Sequence, residues 1–553
     1  MSWPLSVTAH LVTQGCRAGL YSAPLFVNGP GQVVDSNFSS IVQALSALDI
    51  GVMSSGLKGL EKESLRVGSD GNIATTAHPA ALGAALTHPH ITTDYSEALL
   101  ELVTGANRDP TTVLDELCEM HQFVYHGLDA ERLWVASMPC VLDGDASIPI
   151  ANYGSSNVGR MKHVYRVGLG FRYGRIMQAI AGIHFNYSPP EAMWPALSGA
   201  LGVADSRAFR DARFMGMLRT LKSTNWLIAY LFGASPAVCK SFLPGGGSGL
   251  EAFDRNTWYY PFGTSLRLSD IGYSNRVVGG LRISYNSLDE YVDGLNRAIT
   301  TPHSAYARIG THRDGDWLQL NANVLQIENE YYSFVRPKRV PSGNEKRTAA
   351  LARDGIEYVE LRSMDLDPWA PEGLTIETLR FLELFALWAL LSDSPLMTEA
   401  SQYEQDENLQ TVARCGRRPD LGLTRAGQAI SLTDWASELL DNLAAVATIL
   451  DRDHEGDSYS AGVAQQRIKV ADPEKTPSAK VLAEMRDSGE AFFHFAQRRS
   501  ESTQVWYGAR AIPPERLAQL TTQAEHSRAQ QASIEESDDM SFDTYLENYF
   551  AQD

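Results

Sequence analysis

The chain has 553 residues, 44% of them hydrophobic and 20% charged, which is enough to bury a large core and by length alone suggests roughly three domains. Acidic residues outnumber basic ones by 66 to 47, and the formal charge of -19 argues against broad non-specific binding to nucleic acid or anionic membrane, so an anionic substrate needs a local basic site. Five cysteines (Cys16, Cys118, Cys140, Cys239 and Cys415) without CxxC spacing indicate neither a disulfide framework nor a zinc ribbon, and fit a reducing cytoplasm.

Residues 1–38 carry little charge but lack the basic start and continuous apolar segment of a signal peptide, and read as an extension without an assigned role. From residue 39 to about 515, helical and strand-like stretches alternate without repeats and with short breaks such as "LPGGGSG" at 243 to 249, which predicts one large α+β catalytic body. Beyond "AIPPE" the composition turns polar and rich in Gln, Glu and Ala, so residues 516–553 read as a peripheral helix with a loose acidic end.

Within the body, "GLEKESLRV" at 59 to 67 is strand-like and runs into the turn signal "SDGN" followed by "IATT", a hairpin pattern. Strand alternation puts Glu61 and Glu63 on one face, with Leu60, Lys62 and Ser64 on the other. Like charges so placed raise each other's pKa unless a cation lies between them; alone, the pair reads equally as a solvated edge. "TTDYSEALLE" at 92 to 101 spaces Asp94, Glu97 and Glu101 as one stripe of a helix that Thr92 or Thr93 caps. In "AGIHFNYS", His184, Asn186 and Ser188 face away from Ile183 and Phe185.

Further on, "VLQIENEYYSF" at 324 to 334 predicts a strand with Gln326, Glu328, Glu330 and Tyr332 on one face. "GIEYVELRS" at 355 to 363 puts Tyr358, Glu360 and Arg362 together and Glu357 opposite. "FLELFALWALL" at 381 to 391 is too short for a membrane span and predicts a buried core helix. A shared sheet face of carboxylates, an imidazole, an amide and a guanidinium requires cations, and hard oxygen with one imidazole suits magnesium or manganese better than zinc. That points to phosphoryl transfer. No GxxxxGK[ST] is present, so basic groups at Arg336, Lys338, Arg339 and Arg267 are the candidates to complete a phosphate site.

Nine segments in this order, "GLEKESLRV", "ALTHPHITTDYSEALLELVT", "YGSSNVGRMKHVYRVGL", "GIHFNYS", "YLFGASPAVCKSFL", "TSLRLSDIGY", "VLQIENEYY", "RPKRV" and "GIEYVELRSMDLDP", closely resemble the proteobacterial glutamate-cysteine ligase family, strongly over 41 to 400. The resemblance implies a glutamine synthetase-like fold whose antiparallel sheet forms a funnel-shaped active site surrounded by helices. It implies magnesium ligands at Glu61, Glu63, Asp94, Glu101, His184 and Glu360, with Glu97 a weaker candidate and manganese a possible substitute. Arg362 and Arg267 then resemble catalytic groups that hold substrate carboxylate or the transferring phosphoryl group, and Arg336 and Lys338 bind nucleotide. Tyr165, Arg166, Leu169, Gln178, Asn186, Tyr273 and Tyr332 resemble substrate contacts, the cysteine pocket among them. Tyr165 and Leu169 fit one helix face, which Gly168 and Gly170 weaken.

The implied reaction is the first step of glutathione biosynthesis: glutamate and ATP give γ-glutamyl phosphate, and the cysteine amine displaces phosphate. Partners are the three small substrates, and the resemblance admits feedback inhibition by glutathione. The alternatives are a γ-glutamyl ligase of the same fold with another amine acceptor, and a non-catalytic metal-binding protein, against which retention of both arginines argues.

Overall fold

The structure, a computed structural model, describes residues 36–139, 141–272, 281–453 and 456–552. Seven strands build the central antiparallel sheet: β1 (Leu57–Val67), β2 (Ile91–Thr93), β3 (Leu99–Val103), β4 (Arg132–Leu133), β5 (Ile183–Ser188), β6 (Val335–Lys338) and β7 (Tyr358–Met364). They are ordered β6-β7-β5-β1-β3-β2, with β4 paired to the far end of β1. The hairpin expected after "SDGN" shrinks to one bridge between Val67 and Ile73, because the chain leaves the sheet to let β4 take the edge.

Two segments depart from the sequence pattern. Residues 92 to 101 form a tight β-hairpin and no helix: β2 and β3 pair from Ile91 opposite Leu102 to Thr93 opposite Leu100, and Asp94 N–H donates to Leu99 O at 3.0 Å. β-Branched Ile91, Thr92 and Thr93 favour the pleated surface, and the buried Leu99, Leu100 and Leu102 serve both faces of a strand covered on each side. Residues 324 to 334 are not a strand either but an irregular run with a 3₁₀ turn at Glu328–Glu330.

Helices pack around the sheet. The main ones are α1 (Pro110–Gly127), α2 (Asn157–Tyr173), α3 (Arg207–Phe232) and α4 (Ile376–Leu391), followed near the carboxy terminus by α5 (Pro514–Glu536) and α6 (Phe542–Phe550). Of these, α2 and α6 lie on the carboxylate face of the sheet. Residues Phe381 to Leu391 of α4 are all buried, as their sequence predicts, and the helix starts on a Thr375 side chain that accepts the Thr378 N–H. Among the described residues, no helix is long and apolar enough to cross a membrane. Cys118 and Cys239 are free thiols, whereas Cys415 is disulfide-bonded, a pairing that the irregular cysteine spacing does not announce.

The carboxy-terminal end is not loose. Phe542 and Leu546 of α6 bury themselves with Met161, Val164, Leu320 and Ile327 in a cluster apart from the main core, and Trp317, Tyr545, Tyr549 and Phe550 pack around it. Alternating polar and aromatic residues in "SFDTYLENYF" hide this docking face from a reading based on average polarity.

Candidate active site

Sheet register assembles the site. On β1, Glu61 lies opposite His184 of β5 and Glu63 opposite Glu101 of β3, while Glu360 of β7 lies opposite Asn186. Ligand atoms of Glu61, His184 and Glu360 all lie within 4.8 Å of one another, as do those of Glu63, Glu101 and His184. The imidazole stands between the two groups: Nδ1 is 3.1 Å from Glu61 and 3.7 Å from Glu360, and Nε2 is 3.5 Å from Glu63. Each ring nitrogen therefore serves one cluster.

The charges are unequally settled. Burial and Glu360 push the Glu61 carboxyl up, but the His184 hydrogen bond and the Lys338 and His184 charges outweigh them and hold it at about 2. Glu360 also lies well below the carboxylate range, because Lys338 at 3.0 Å and Arg362 at 3.2 Å overcome its burial. Glu101 goes the other way, pushed well up by burial and by Glu61, Asp94 and Glu63, and burial raises Glu63 too. Glu360 Oε2 and Asn186 Oδ1 are buried without a hydrogen-bond partner in the described structure. Hard oxygen donors, orphaned acceptors and mutually repelling carboxylates fit a divalent cation of the magnesium or manganese type. Glu61, Glu63, Glu101, His184 and Glu360 are the residues that would hold it.

Asp94, at the hairpin turn, lines the cavity rim outside these two groups. Glu97 is turned away, accepting the His78 and Asn152 backbone N–H groups at 3.1 and 3.0 Å. Its place in the helical stripe disappears with the helix.

Two adjoining cavities open on this face. The inner one, about 830 Å³, is lined by Tyr165, Arg166 and Leu169 of α2 with Gln178, Arg267, Tyr332 and Arg362. The outer one, about 1770 Å³, contains Glu61, Glu101, Glu360, Arg336 and Lys338. Asp94, Tyr165, Arg166, His184, Arg336 and Arg362 border both. Tyr273 lies outside the described residues.

Tyr165, Arg166 and Leu169 share one helix after all, and its glycines have a different use. A Cβ on Gly168 would come within 2.2 Å of Gln326 Oε1, and one on Gly170 within 2.7 Å of the Tyr95 hydroxyl. Gly168 thus lets the helix pack closely on Gln326 of the 320s segment, and Gly170 on Tyr95. Parity in that segment fails because each polar residue has a separate partner. Glu330 receives Arg172 Nη1 at 2.8 Å and the Tyr173 hydroxyl at 2.7 Å in a fully buried pair, and Gln326 Oε1 accepts the Leu320 N–H. Only Tyr332 and Glu330 of the four reach the inner cavity, and Glu328 lines the outer one.

Arg267 is nearly buried, and its Nη2 donates to Arg362 O at 2.7 Å while Nε and Nη1 have no hydrogen-bond partner in the described structure. Gly182 makes room for it, since a Cβ there would lie 2.1 Å from Arg267 Nη2, and the Gly182 N–H donates to Glu63 Oε2 at 2.7 Å. Arg339 lines the outer cavity too, though its Nε and Nη2 donate to the carbonyls of Gly355 and Asp354. The sequence reading missed Lys162 and Arg347 in the outer cavity, as well as Gly182. Lys162 is pushed down to about 8 by burial and by the Arg166 and Arg347 charges. Its i, i-4 spacing from Arg166 on α2 was the available signal.

A mixed α+β enzyme with an antiparallel sheet forming one wall of a two-chambered, carboxylate-lined funnel is the glutamine synthetase-like class. The family model for glutamate-cysteine ligase matches residues 43–412. The chain is 47% identical over 507 residues to glutamate–cysteine ligase of Pseudomonas paraeruginosa, covering 92% of this chain and 96% of that one, and 48% identical over 499 residues to that of Azotobacter vinelandii, covering 90% and 94%. The chain belongs to the glutamate-cysteine ligase family. Among solved structures it is similar to glutamate–cysteine ligase from Francisella tularensis in complex with AMP, with a TM-score of 0.86 and 35% identity over 91% of this chain and 99% of that one. A bifunctional glutathione synthetase from Pasteurella multocida shares the fold, at 22% identity and a TM-score of 0.67 over 89% of this chain and 57% of that one.

Proposed function

We propose that the chain is a cytoplasmic enzyme of glutathione biosynthesis that joins the γ-carboxylate of L-glutamate to the amine of L-cysteine, using ATP and magnesium. The observation that carries this reading is the meeting of two chambers at a carboxylate–imidazole cluster flanked by Arg362. The larger chamber, with Lys338, Arg336, Lys162 and Arg347, has the charge for a nucleoside triphosphate, and the smaller, lined by Tyr165, Leu169, Gln178 and Arg267, suits the amino-acid substrates. Magnesium held by the five ligands would neutralise phosphate charge there.

Arg362 borders both chambers, so its planar fork is positioned to grip charge that spreads over the equatorial oxygens as the γ-phosphoryl group passes to glutamate. Arg267, whose Nε has no hydrogen-bond partner in the described structure and whose Nη1 has only a 3.9 Å ion pair with Asp365, holds a carboxylate in the inner chamber. γ-Glutamyl phosphate then has a leaving group, and the cysteine amine attacks the acyl carbon and expels phosphate. Tyr165, Tyr332 and Leu169 crowd out water that would hydrolyse the acyl phosphate.

Steady-state phosphate release with glutamate, ATP and magnesium tests the reading. Release should rise strongly with cysteine and with 2-aminobutyrate, whose short side chain fits between Leu169 and the tyrosines. Serine should be poorer because its hydroxyl is desolvated, and methionine should scarcely react. A higher catalytic efficiency with another amine would move the assignment to a different γ-glutamyl ligase. Glutathione, which contains the product's γ-glutamylcysteine unit, should compete with glutamate.

A further inference from the structure

We infer that helix α6 belongs to the nucleotide site, where Tyr549, with Glu328 beside it, receives the nucleoside end of ATP; this rests on reading the outer chamber as the ATP site.

Tyr545 and Tyr549 line the outer chamber directly. The sheet side of that chamber presents the carboxylate–imidazole cluster with Arg336 and Lys338, whereas Leu295, Ile327, Leu351 and the α6 tyrosines give the opposite wall an apolar, aromatic stretch beside Lys162 and Arg347. A nucleoside triphosphate divides in the same way, so phosphates drawn to the cluster leave the base to the aromatic wall. Glu328 supplies a polar anchor there. Glu328 lines the chamber; its Oε1 accepts the Arg347 N–H at 2.7 Å, while Oε2 is buried and has no hydrogen-bond partner in the described structure. A ribose hydroxyl or an exocyclic amine of the base satisfies such an acceptor.

The helix is also fastened in a way that a decorative tail does not need. Lys346 Nζ donates to Phe550 O at 2.9 Å and to Gln552 O at 2.6 Å, Asn157 Nδ2 donates to Asp538 Oδ1 at 2.6 Å and to Met540 O at 2.9 Å, and the Arg160 guanidinium lies 4.5 Å from the Phe542 ring centre. Lys346 precedes Arg347, and Asn157 and Arg160 start α2, so these fastenings tie the tail to two elements that line the chamber.

The test compares the full-length wild-type chain with Tyr549→Ala, Tyr549→Phe and Glu328→Ala, using calorimetric titration of AMP and the KM values for ATP, glutamate and cysteine. Tyr549→Ala and Glu328→Ala should each weaken AMP binding and raise the ATP KM about tenfold, with the two amino-acid KM values within twofold of wild type, and Tyr549→Phe should retain wild-type values. 2′-Deoxy-AMP and IMP then separate ribose from base: the analogue lacking the group that Glu328 accepts loses its sensitivity to Glu328→Ala. Unchanged AMP affinity in both alanine variants, or a parallel rise in all three KM values, overturns the inference. A wild-type chain that releases no phosphate from ATP overturns the functional reading instead, while the AMP titration still decides whether α6 lines a nucleotide site.

Discussion

The two faces of strand β1 both bury charge, and they settle it in opposite ways. Behind the sheet, Lys58 Nζ lies 2.5 Å from Glu383 Oε1 with neither side chain exposed, and the Tyr459 hydroxyl donates to the other Glu383 oxygen at 2.7 Å. Lys62 Nζ is 2.8 Å from His121 Nε2, and Arg66 reaches Glu131 at 2.5 Å. On the front face, Glu61 and Glu63 share their surroundings with Glu101 and Glu360, and atoms of that set remain unpartnered. Charge that holds the fold together is closed off by protein groups; charge that serves chemistry is left for a ligand to complete. Burial alone does not distinguish the two.

The largest expected effect breaks the front face. Glu61→Gln or Glu101→Gln keeps the volume but removes a metal donor, and turnover should fall at least about a thousandfold, since a lost metal forfeits several kcal/mol of charge stabilisation. Far-UV circular dichroism should be unchanged. Wild-type turnover at limiting magnesium in either variant would remove that residue from the metal site.

Breaking the rear face should do the reverse. Lys58→Met leaves the buried Glu383 charged without its counter-ion, holding only the Tyr459 hydroxyl, at a cost of about 3–5 kcal/mol read from urea unfolding. The folded fraction should keep its magnesium dependence. A Lys58→Met chain of unaltered stability with altered metal affinity would mean that the two faces are not separate.

Arg362→Lys sharpens the distinction within the front face. Lysine keeps the charge near Glu360 but not the planar fork, so turnover should drop on the order of a hundredfold while magnesium still binds. A weaker metal affinity with unchanged turnover would reassign Arg362 to structural pairing with Glu360.

Much of this contrast was legible in the sequence. Alternation alone separates Glu61 and Glu63 from Lys62, and Glu360 from Glu357, because a strand's period of two survives any packing. The helical core at 381 to 391 was equally plain, since no other element accommodates an eleven-residue run of ten apolar residues and one acid, and the structure extends it back to Ile376. What failed was pattern without context. Spacing of three and four placed Asp94, Glu97 and Glu101 on a helix, but the same residues close a hairpin that only pairing with β1 stabilises. Glu330 looked like a site residue until Arg172, 158 positions away in sequence, turned out to neutralise it. The docking of α6 was invisible for the same reason: its partners Met161 and Ile327 belong to distant segments. Local periodicity reports faces, and long-range partners decide which face is functional.

The smallest expected effect concerns how the front face behaves before its ligand arrives. Glu101 and Glu63 lie above the ordinary carboxylate value of 4.5, so the folded chain without metal holds more protons than the unfolded chain at pH values above that point. Their contribution to stability is therefore full below pH 4.5 and is lost as pH rises through the folded values. Glu61, at about 2, and Glu360 contribute in the opposite sense, with stability present above 4.5 and lost only as pH falls below it. Between pH 5 and 8 the raised pair makes stability fall with pH, while buried His78, His88 and His121 and the depressed Lys62 and Lys469 make it rise, so the pair is read as the difference between wild type and Glu101→Gln. Without divalent cations the wild type should therefore lose a few degrees of melting temperature relative to Glu101→Gln between pH 5 and pH 8, and magnesium, which binds the deprotonated carboxylates and releases protons, should restore them. Glu101→Gln removes the larger share of the pair's slope, so that variant, inactive as a ligase, should melt higher than the metal-free wild type at pH 8 and respond less to magnesium. Melting curves at pH 5 and pH 8, with and without the metal, check both signs. A metal-free wild type that loses no stability relative to Glu101→Gln between pH 5 and pH 8 would mean that the front-face carboxylates are already neutralised by the protein, as the rear-face charges are.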